Sequence, residues 1–345
     1  MLPLLATNIL VLQLKRIGDL VLTTPALAAL QASGARVTLV VEGPCSSLLP
    51  AIPGIAESIV YSRKGGNGPL WRRLAQRGWD VCLDYTGSDR TALMGWFTRT
   101  KRRITFSWVR KRLLRRLAYH QFVDSPVRQS HTCDHYLDLL HPLGLDRGDG
   151  RPRLDLPRSA REQALGLVAE SGIPGSYVLL HPGTARAEKY WPVERWAEVI
   201  ARLRQLGLAA VITCGPDHYE RAHVHAIERL AASADGTASP VKVISPPDLL
   251  TLSALVEKAR LVVSCDTAVV HLAAAFQQPQ IALFGPTNPY HWRPRHERAV
   301  VISAIQPDAP LHGFLPKMGG TSMEKIPALT VIRAMDELLT QPRLM

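Results

Sequence analysis

Cysteine is scarce and unpaired in this chain. Cys45, Cys82, Cys133, Cys214 and Cys265 are scattered, with no CxxC spacing among them. That argues against a disulfide or zinc framework and suits a reducing, cytoplasmic setting. Long hydrophobic runs are missing as well: nothing approaches the roughly 18 consecutive apolar residues of a membrane-spanning helix. The start, Met1 to Leu12, is apolar but has no basic region and flows directly into a strand pattern, so no signal peptide is read. No GxGxxG fingerprint and no GxxxxGK[ST] loop occurs, which weakens dinucleotide and P-loop readings. Acidic residues are also short, 29 against 41 Lys and Arg, a formal charge of +12. Such an excess favours an anionic partner without choosing among nucleic acid, an acidic membrane surface and a phosphorylated substrate.

What is present is a globular composition, 46% hydrophobic and 20% charged over 345 residues, enough for two domains with cores of their own. Strand and helix patterns alternate, which predicts α/β architecture with parallel sheets. Strands are expected over 8–14, 36–41, 58–61, 81–83 and 104–106, with helices over 20–32, 68–77, 88–97 and 131–141. Pro25 is expected only in a first helical turn. The glycine- and charge-rich segment 144–153 reads as a linker. A second series follows: strands over 177–180, 208–213, 242–244, 261–264 and 280–284, helices over 193–206, 217–232, 250–258 and 268–276. The expected domains are 1–155 and 156–326. A last helix, 327–340, ends the fold and is a candidate to pack back on the first domain. In doubly wound sheets ligands sit beyond the carboxyl ends of the strands, so a shared ligand is expected in the cleft between the domains.

Three strand ends carry chemistry-bearing residues. After the first strand, Gly18 permits a tight turn and Asp19 stands at a helix start, where a carboxylate is electrostatically favoured. Asp19 reads either as a helix cap or as a general base facing the cleft. In the second, His181-Pro-Gly-Thr184 leads to Lys189 and then to Pro192, which opens a helix. Thr184 and Lys189 can together hold a diphosphate, one by hydrogen bonding and the other by charge. Trp191 and Trp196 are expected in the core. In the third, Asp266 and Thr267 end a strand, either can cap the following helix, and His271 lies on the same helix face as Thr267. A helix start offers free N–H groups and positive dipole to a phosphate.

Together these segments resemble glycosyltransferase family 9, the ADP-heptose:lipopolysaccharide heptosyltransferases. The resemblance rests on Gly18-Asp19 with Thr23 to Leu27, on His181 to Gly183 through Lys189 to Pro192, and on Asp266-Thr267 through His271 to Ala275 and Phe284 to Thr287. It implies GT-B architecture, two Rossmann-like doubly wound domains facing across a cleft, the first taking the acceptor and the second the nucleotide sugar. It implies an inverting, metal-independent enzyme that transfers heptose from ADP-heptose to the inner core of lipopolysaccharide, without a cofactor. By the same resemblance Asp19 is the catalytic base, Thr184 and Lys189 hold the diphosphate, and Asp266, Thr267 and His271 line the donor pocket. An acid in Gly215-Pro-Asp217-His-Tyr-Glu220 meets the ribose; Glu220 is taken as the candidate, with Asp217 open. Ala268 stands where a glycine is usual, Cys265 where Asn is usual, and Cys214-Gly215 where a glycine pair is common. A relative using another nucleotide sugar or acceptor, and a non-catalytic glycan- or nucleotide-binding module, are the alternatives.

The stretches 99–103 and 110–116 are basic and contain no acid, with Phe97, Phe106 and Trp108 interleaved. They read as a solvated face or as a docking surface, through Lys101, Arg102, Arg103 and Arg112, for a phosphorylated lipid A core at the inner face of an anionic inner membrane. Nucleic acid fits less well, because no recognition motif accompanies the charge. His131-Thr-Cys-Asp134-His135 has metal-like letters without a partner set, and no metal site is expected. His218, His223 and His225 are expected on an exposed helix.

Overall fold

The computed structural model describes residues 7–76, 78–173, 175–233 and 240–341; most of the apolar start, residues 1–6, lies outside them. The chain divides into two compact units, Met1–Asp155 and Leu156–Met345.

The first unit holds six strands: β1 (Asn8–Gln13), β2 (Arg36–Glu42), β3 (Ile55–Tyr61), β4 (Val81–Asp84), β5 (Arg103–Phe106) and β6 (Gln121–Val123). The second holds β7 (Tyr177–His181), β8 (Ala209–Thr213), β9 (Val241–Ile244), β10 (Leu261–Cys265), β11 (Gln280–Phe284) and β12 (Ala299–Ser303). The sheet orders are β3-β2-β1-β4-β5-β6 and β12-β11-β10-β7-β8-β9, and every pairing is parallel. Each is the doubly wound order, with one reversal of winding. The reversals fall between β1 and β4 and between β7 and β10. The central strands are apolar without alternation because helices cover both faces; β7, β8, β10 and β11 are buried at every position.

Pro25 lies in the middle of the helix Ile17–Ala32, not in its first turn. Proline there removes the hydrogen bond to the carbonyl four residues back. The Thr24 hydroxyl supplies it instead, donating to the Val21 carbonyl at 2.7 Å. Thr23 likewise donates to the Asp19 carbonyl at 2.7 Å. The run Thr23-Thr24-Pro25 is thus a repaired helix interior, and Thr24 Oγ1 also accepts from the Arg153 amide at 3.0 Å.

The last helix, Ala328–Thr340, packs within the second unit. Its Val331, Ala334, Met335 and Leu338 join Leu261, Ile281 and Ile302 in one core cluster. Trp191 and Trp196, both fully buried, meet edge-on in that cluster with centroids 5.0 Å apart. Among the strands and α-helices of the described residues, β6, β12 and the helices Leu113–Ala118, Arg158–Glu170 and Pro289–Trp292 have no counterpart among the expected ones.

Candidate active site

In the first unit, the loop leaving β1 and the loop leaving β4 meet at the winding reversal. Leu14 N–H donates to Thr86 Oγ1 at 2.8 Å and ties them together. Asp19 stands in the first turn of the helix Ile17–Ala32, where the helix dipole favours its charge. Its carboxylate accepts a hydrogen bond from the Tyr136 hydroxyl, brought in by the helix Thr132–Asp138. Lys15 Nζ donates to the same hydroxyl at 3.3 Å and lies 5.1 Å from the ring centroid. Burial lowers the Lys15 ammonium from its ordinary range, while Asp19 and Asp84 pull it back up. Tyr136 is pushed up by burial and by Asp19, so it acts as a donor, not as a phenolate. Cys45, near the Lys15 carbonyl, is held up at about 12 by burial, then by Glu42 and Asp19, which removes it as a nucleophile.

Asp84 belongs to no motif of the sequence. It ends β4 and is fully buried. One of its oxygens accepts from the Thr86 and Gly87 amides at 2.8 and 3.0 Å, the other from the Tyr119 hydroxyl. Burial raises its pKa against these donors. The signal that marks it is positional: an acid closing a strand directly ahead of the Ser88 cap of the helix Asp89–Phe97.

In the second unit the equivalent reversal brings the loops after β7 and β10 together. Lys189 Nζ donates to Asp266 Oδ2 at 2.5 Å and lies 3.3 Å from the Asp266 carbonyl. The side chains are only 13% and 9% exposed. Asp266 is held in place because its amide donates to the Leu283 carbonyl at 3.0 Å. Thr267, not Asp266, caps the helix Ala268–Ala275, its hydroxyl accepting from the Val269 amide at 3.3 Å. Ser264 Oγ lies 3.2 Å from the same hydroxyl. His271 is buried on that helix, its ring 6.3 Å from Trp292. Thr184 is buried, with Oγ1 accepting from the Arg186 amide at 3.4 Å.

Glu220 and Asp217 divide their work. Asp217 Oδ1 accepts from the Tyr219 and Glu220 amides at 2.9 and 3.3 Å, and so caps the helix His218–Ser233. Glu220 is buried, with Oε1 accepting from the Gly215 amide at 2.7 Å. A Cβ on Gly183 would stand 1.8 Å from that oxygen, and one on Gly215 2.7 Å from Oε2. Both glycines are therefore required by the carboxylate. Burial raises Glu220 and the Gly215 amide lowers it. His181 Nε2 lies 3.8 Å from Oε1, and His181 Nδ1 lies 2.9 Å from Thr213 Oγ1. Burial lowers His181 to about 4, so its ring is neutral near pH 7.

Of the basic residues expected at a docking surface, Lys101, Arg102 and Arg112 are exposed, and Arg102 donates to the Pro142 carbonyl at 2.6 Å. Arg103 does not belong with them. It is buried, and its guanidinium donates to the Ala118 and Thr100 carbonyls, each at 2.5 Å. A side chain in β5, its guanidinium closes the surrounding loops from inside. His223 also departs from expectation: it is half-buried and stacks on Tyr190 at 4.4 Å. His131 caps its own helix, accepting from the Cys133 amide at 3.2 Å. His135 stacks on Phe106 at 3.9 Å. Among the described residues no three His, Cys, Asp or Glu side chains are grouped as metal ligands, and no helix is long and apolar enough to cross a membrane.

Residues 68–313 match the family described as glycosyltransferase family 9 (heptosyltransferase). Lipopolysaccharide heptosyltransferase 3 of Escherichia coli is 25% identical over 336 residues, 93% of this chain and 96% of that protein. A family 9 glycosyl transferase of Veillonella parvula superposes with a TM-score of 0.81 at 23% identity, over 98% of each chain. The E. coli heptosyltransferase WaaC, solved with ADP-2-deoxy-2-fluoro heptose, gives 0.69 at 21% identity, over 96% of this chain and 99% of that one.

Proposed function

Because the chain belongs to glycosyltransferase family 9 and is a glycosyltransferase, we propose that it moves heptose from ADP-heptose to the inner core of lipopolysaccharide. The observation that carries this reading is the Lys189–Asp266 pair at the winding reversal of the second sheet, beside the Thr267 helix start. A buried cation and a capped helix N-terminus together suit a diphosphate. Relatives named as lipopolysaccharide heptosyltransferases, matching along most of the chain, support the sugar and the acceptor.

In this reading Asp19 is the general base. It takes the proton of an acceptor hydroxyl as that oxygen attacks the anomeric carbon from the face opposite the diphosphate. The bond from the anomeric carbon to the diphosphate oxygen breaks, the configuration inverts, and ADP leaves with the electron pair. Lys189, Thr184 and the Thr267 helix start meet the charge that grows on the diphosphate, and such preorganised groups commonly form the largest catalytic term. Asp266 holds Lys189 in position. His271 lines the donor pocket. Glu220 is the acid for the ribose, since Asp217 is engaged as a helix cap. No metal enters this scheme. Lys101, Arg102 and Arg112 suit the phosphates of a lipid A core at the inner membrane surface, each adding about 1 kcal/mol near an anionic surface.

A second reading, transfer of another sugar or to another acceptor, is favoured by Ala268 and Cys265 flanking the Asp266-Thr267 pair, where the added methyl of Ala268 crowds a phosphate approaching that backbone. Purified protein incubated with a panel of nucleotide sugars and heptose-deficient lipopolysaccharide separates the two by mass spectrometry. A heptose increment with the ADP-linked donor alone is the expected result. An increment with a different donor overturns the heptose assignment.

A further inference from the structure

The short helix Leu113–Ala118 turns its leucines outward. Leu113, Leu114 and Leu117 are 69%, 81% and 71% exposed, and Trp96, on the neighbouring helix Asp89–Phe97, is 65% exposed. Leu93, Phe97 and Trp108 add further exposed apolar surface. Single exposed leucines are common, but a cluster of this kind marks a contact surface.

Two features show that the helix is held in this pose. Six residues are too few for a stable helix by propensity alone. At its far end the buried Arg103 guanidinium donates to the Ala118 carbonyl at 2.5 Å. At its middle Arg115 grips Asp89 through two bonds of 2.6 and 3.0 Å and the Gly87 carbonyl at 2.8 Å. The Arg115 clamp stands at the Asp84 turn, at the carboxyl ends of the strands from which Asp19 also follows, whereas Arg103 opens β5 at the opposite edge of the sheet. The apolar tips are ringed by the exposed Arg110, Lys111, Arg112 and Arg116, and residues 110–116 contain no acid.

From this geometry we propose that Leu113, Leu114 and Leu117 form a wedge that enters the acyl-chain boundary of an anionic bilayer, while the surrounding basic residues hold the headgroups. A second copy of the chain fits poorly, because a symmetric contact would set Arg110, Lys111, Arg112 and Arg116 of each copy against one another, with the neighbouring Asp89 already held by Arg115. An anionic bilayer supplies both the opposite charge and an apolar layer beneath it. The inference deepens the proposed function, since it rests on an acceptor carried in the membrane, and it delivers the Asp19 edge of the first unit to that membrane.

The test compares the wild type with the triple variant Leu113→Ser, Leu114→Ser, Leu117→Ser on vesicles of phosphatidylethanolamine and phosphatidylglycerol, with no substrate present. Wild type should cosediment, and the triple variant should bind at least about tenfold more weakly. In the single variant Leu114→Trp, the new indole should shift to the blue on vesicle addition and be quenched by lipids brominated on the acyl chains. Transfer to a soluble, delipidated core acceptor should be the same in the triple variant and wild type. Equal vesicle binding by both proteins overturns the wedge, as does loss of a wild-type dimer in the triple variant during sedimentation. If vesicle binding behaves as stated and no heptose is transferred to any acceptor, the wedge stands and the proposed function falls.

Discussion

The Tyr136 hydroxyl donates a hydrogen bond to the Asp19 carboxylate across 117 positions of sequence. Lys15 donates to that same hydroxyl. The proposed base is thus aimed by a side chain from a separate helix, itself fixed by a half-buried cation. Tyr136→Phe keeps the ring and removes this restraint. Turnover should fall about tenfold, in line with the loss of one hydrogen bond to a charged group, with donor affinity unchanged. Asp19→Asn should cut turnover by about 10²-fold or more, the scale of a positioned base. In the double variant Tyr136→Phe should add no further loss, since its effect acts through Asp19. Steady-state kinetics and donor titration calorimetry on the four proteins read both quantities.

Lys189→Met leaves the Asp266 carboxylate buried without its partner, a change that typically costs about 3–5 kcal/mol. Denaturant unfolding should show that loss. Adding Asp266→Asn removes the stranded charge and should restore most of the stability. ADP binding should remain weak in the double variant, because the cation is still missing. Recovery of both properties together would assign Lys189 to the fold alone.

Gly183→Ala tests the carboxylate seat. The new methyl would collide with Glu220 Oε1, the mobile end of a side chain, so Glu220 should swing away at little cost to the fold. The expected result is a melting temperature close to wild type with donor affinity lowered about tenfold, as for a lost hydrogen bond to a charged group. Equal donor affinity would remove Glu220 from the nucleotide site.

Two buried histidines set a stability slope in acid. Burial lowers His135 to about 3, with Lys15 assisting, and His181 to about 4. An unfolded histidine titrates near 6.5, so between the two values the unfolded chain binds more protons and stability is lost as pH falls. Each group should cost about 2 kcal/mol at pH 5 relative to pH 8. Asp84 and Glu220, raised by burial, act in the opposite sense, so the comparison must isolate one group. His135→Phe preserves the stacking face toward Phe106, and its melting temperature should fall less than wild type between pH 7 and pH 5.

Much of the second unit is legible directly in the chain, because its parallel strands are compact apolar runs and its polar residues gather at their ends. Lys189, Asp266, Thr267 and His271 stand in quotable motifs for that reason. The first unit is less transparent. Asp84, Tyr119 and Tyr136 come from three separate segments, and only folding makes them neighbours of Asp19 and Lys15. The helix Leu113–Ala118 leaves no trace in the hydrophobic pattern because its leucines point to solvent, so no amphipathic period matches a core. Arg103 misleads for the opposite reason: within a basic run it looks like a surface charge, yet β5 turns it inward to meet carbonyl oxygens. Pro25 suggests a nearby helix start, and the threonine before it explains why the helix continues.

Thr24→Val keeps shape while removing the hydroxyl that serves the Val21 carbonyl and the Arg153 amide. Two backbone groups lose their partner, and stability should drop by about 1–3 kcal/mol, measured by urea unfolding. Pro25→Ala in that background should recover part of the loss, because it restores a backbone N–H at that position to reach the Val21 carbonyl.

The contact between Lys189 and Asp266 has a consequence for selectivity. The Lys189 ammonium already has a counter-ion in Asp266, so it is not a naked positive charge for inorganic phosphate or sulfate in the surrounding solution. A visiting anion must compete with a tethered carboxylate at far higher local concentration. In the proposed donor site, a molecule that brings a second handle, such as a ribose for Glu220, gains what is needed to draw the lysine toward itself, and the pair would thereby filter whole nucleotides from loose salts.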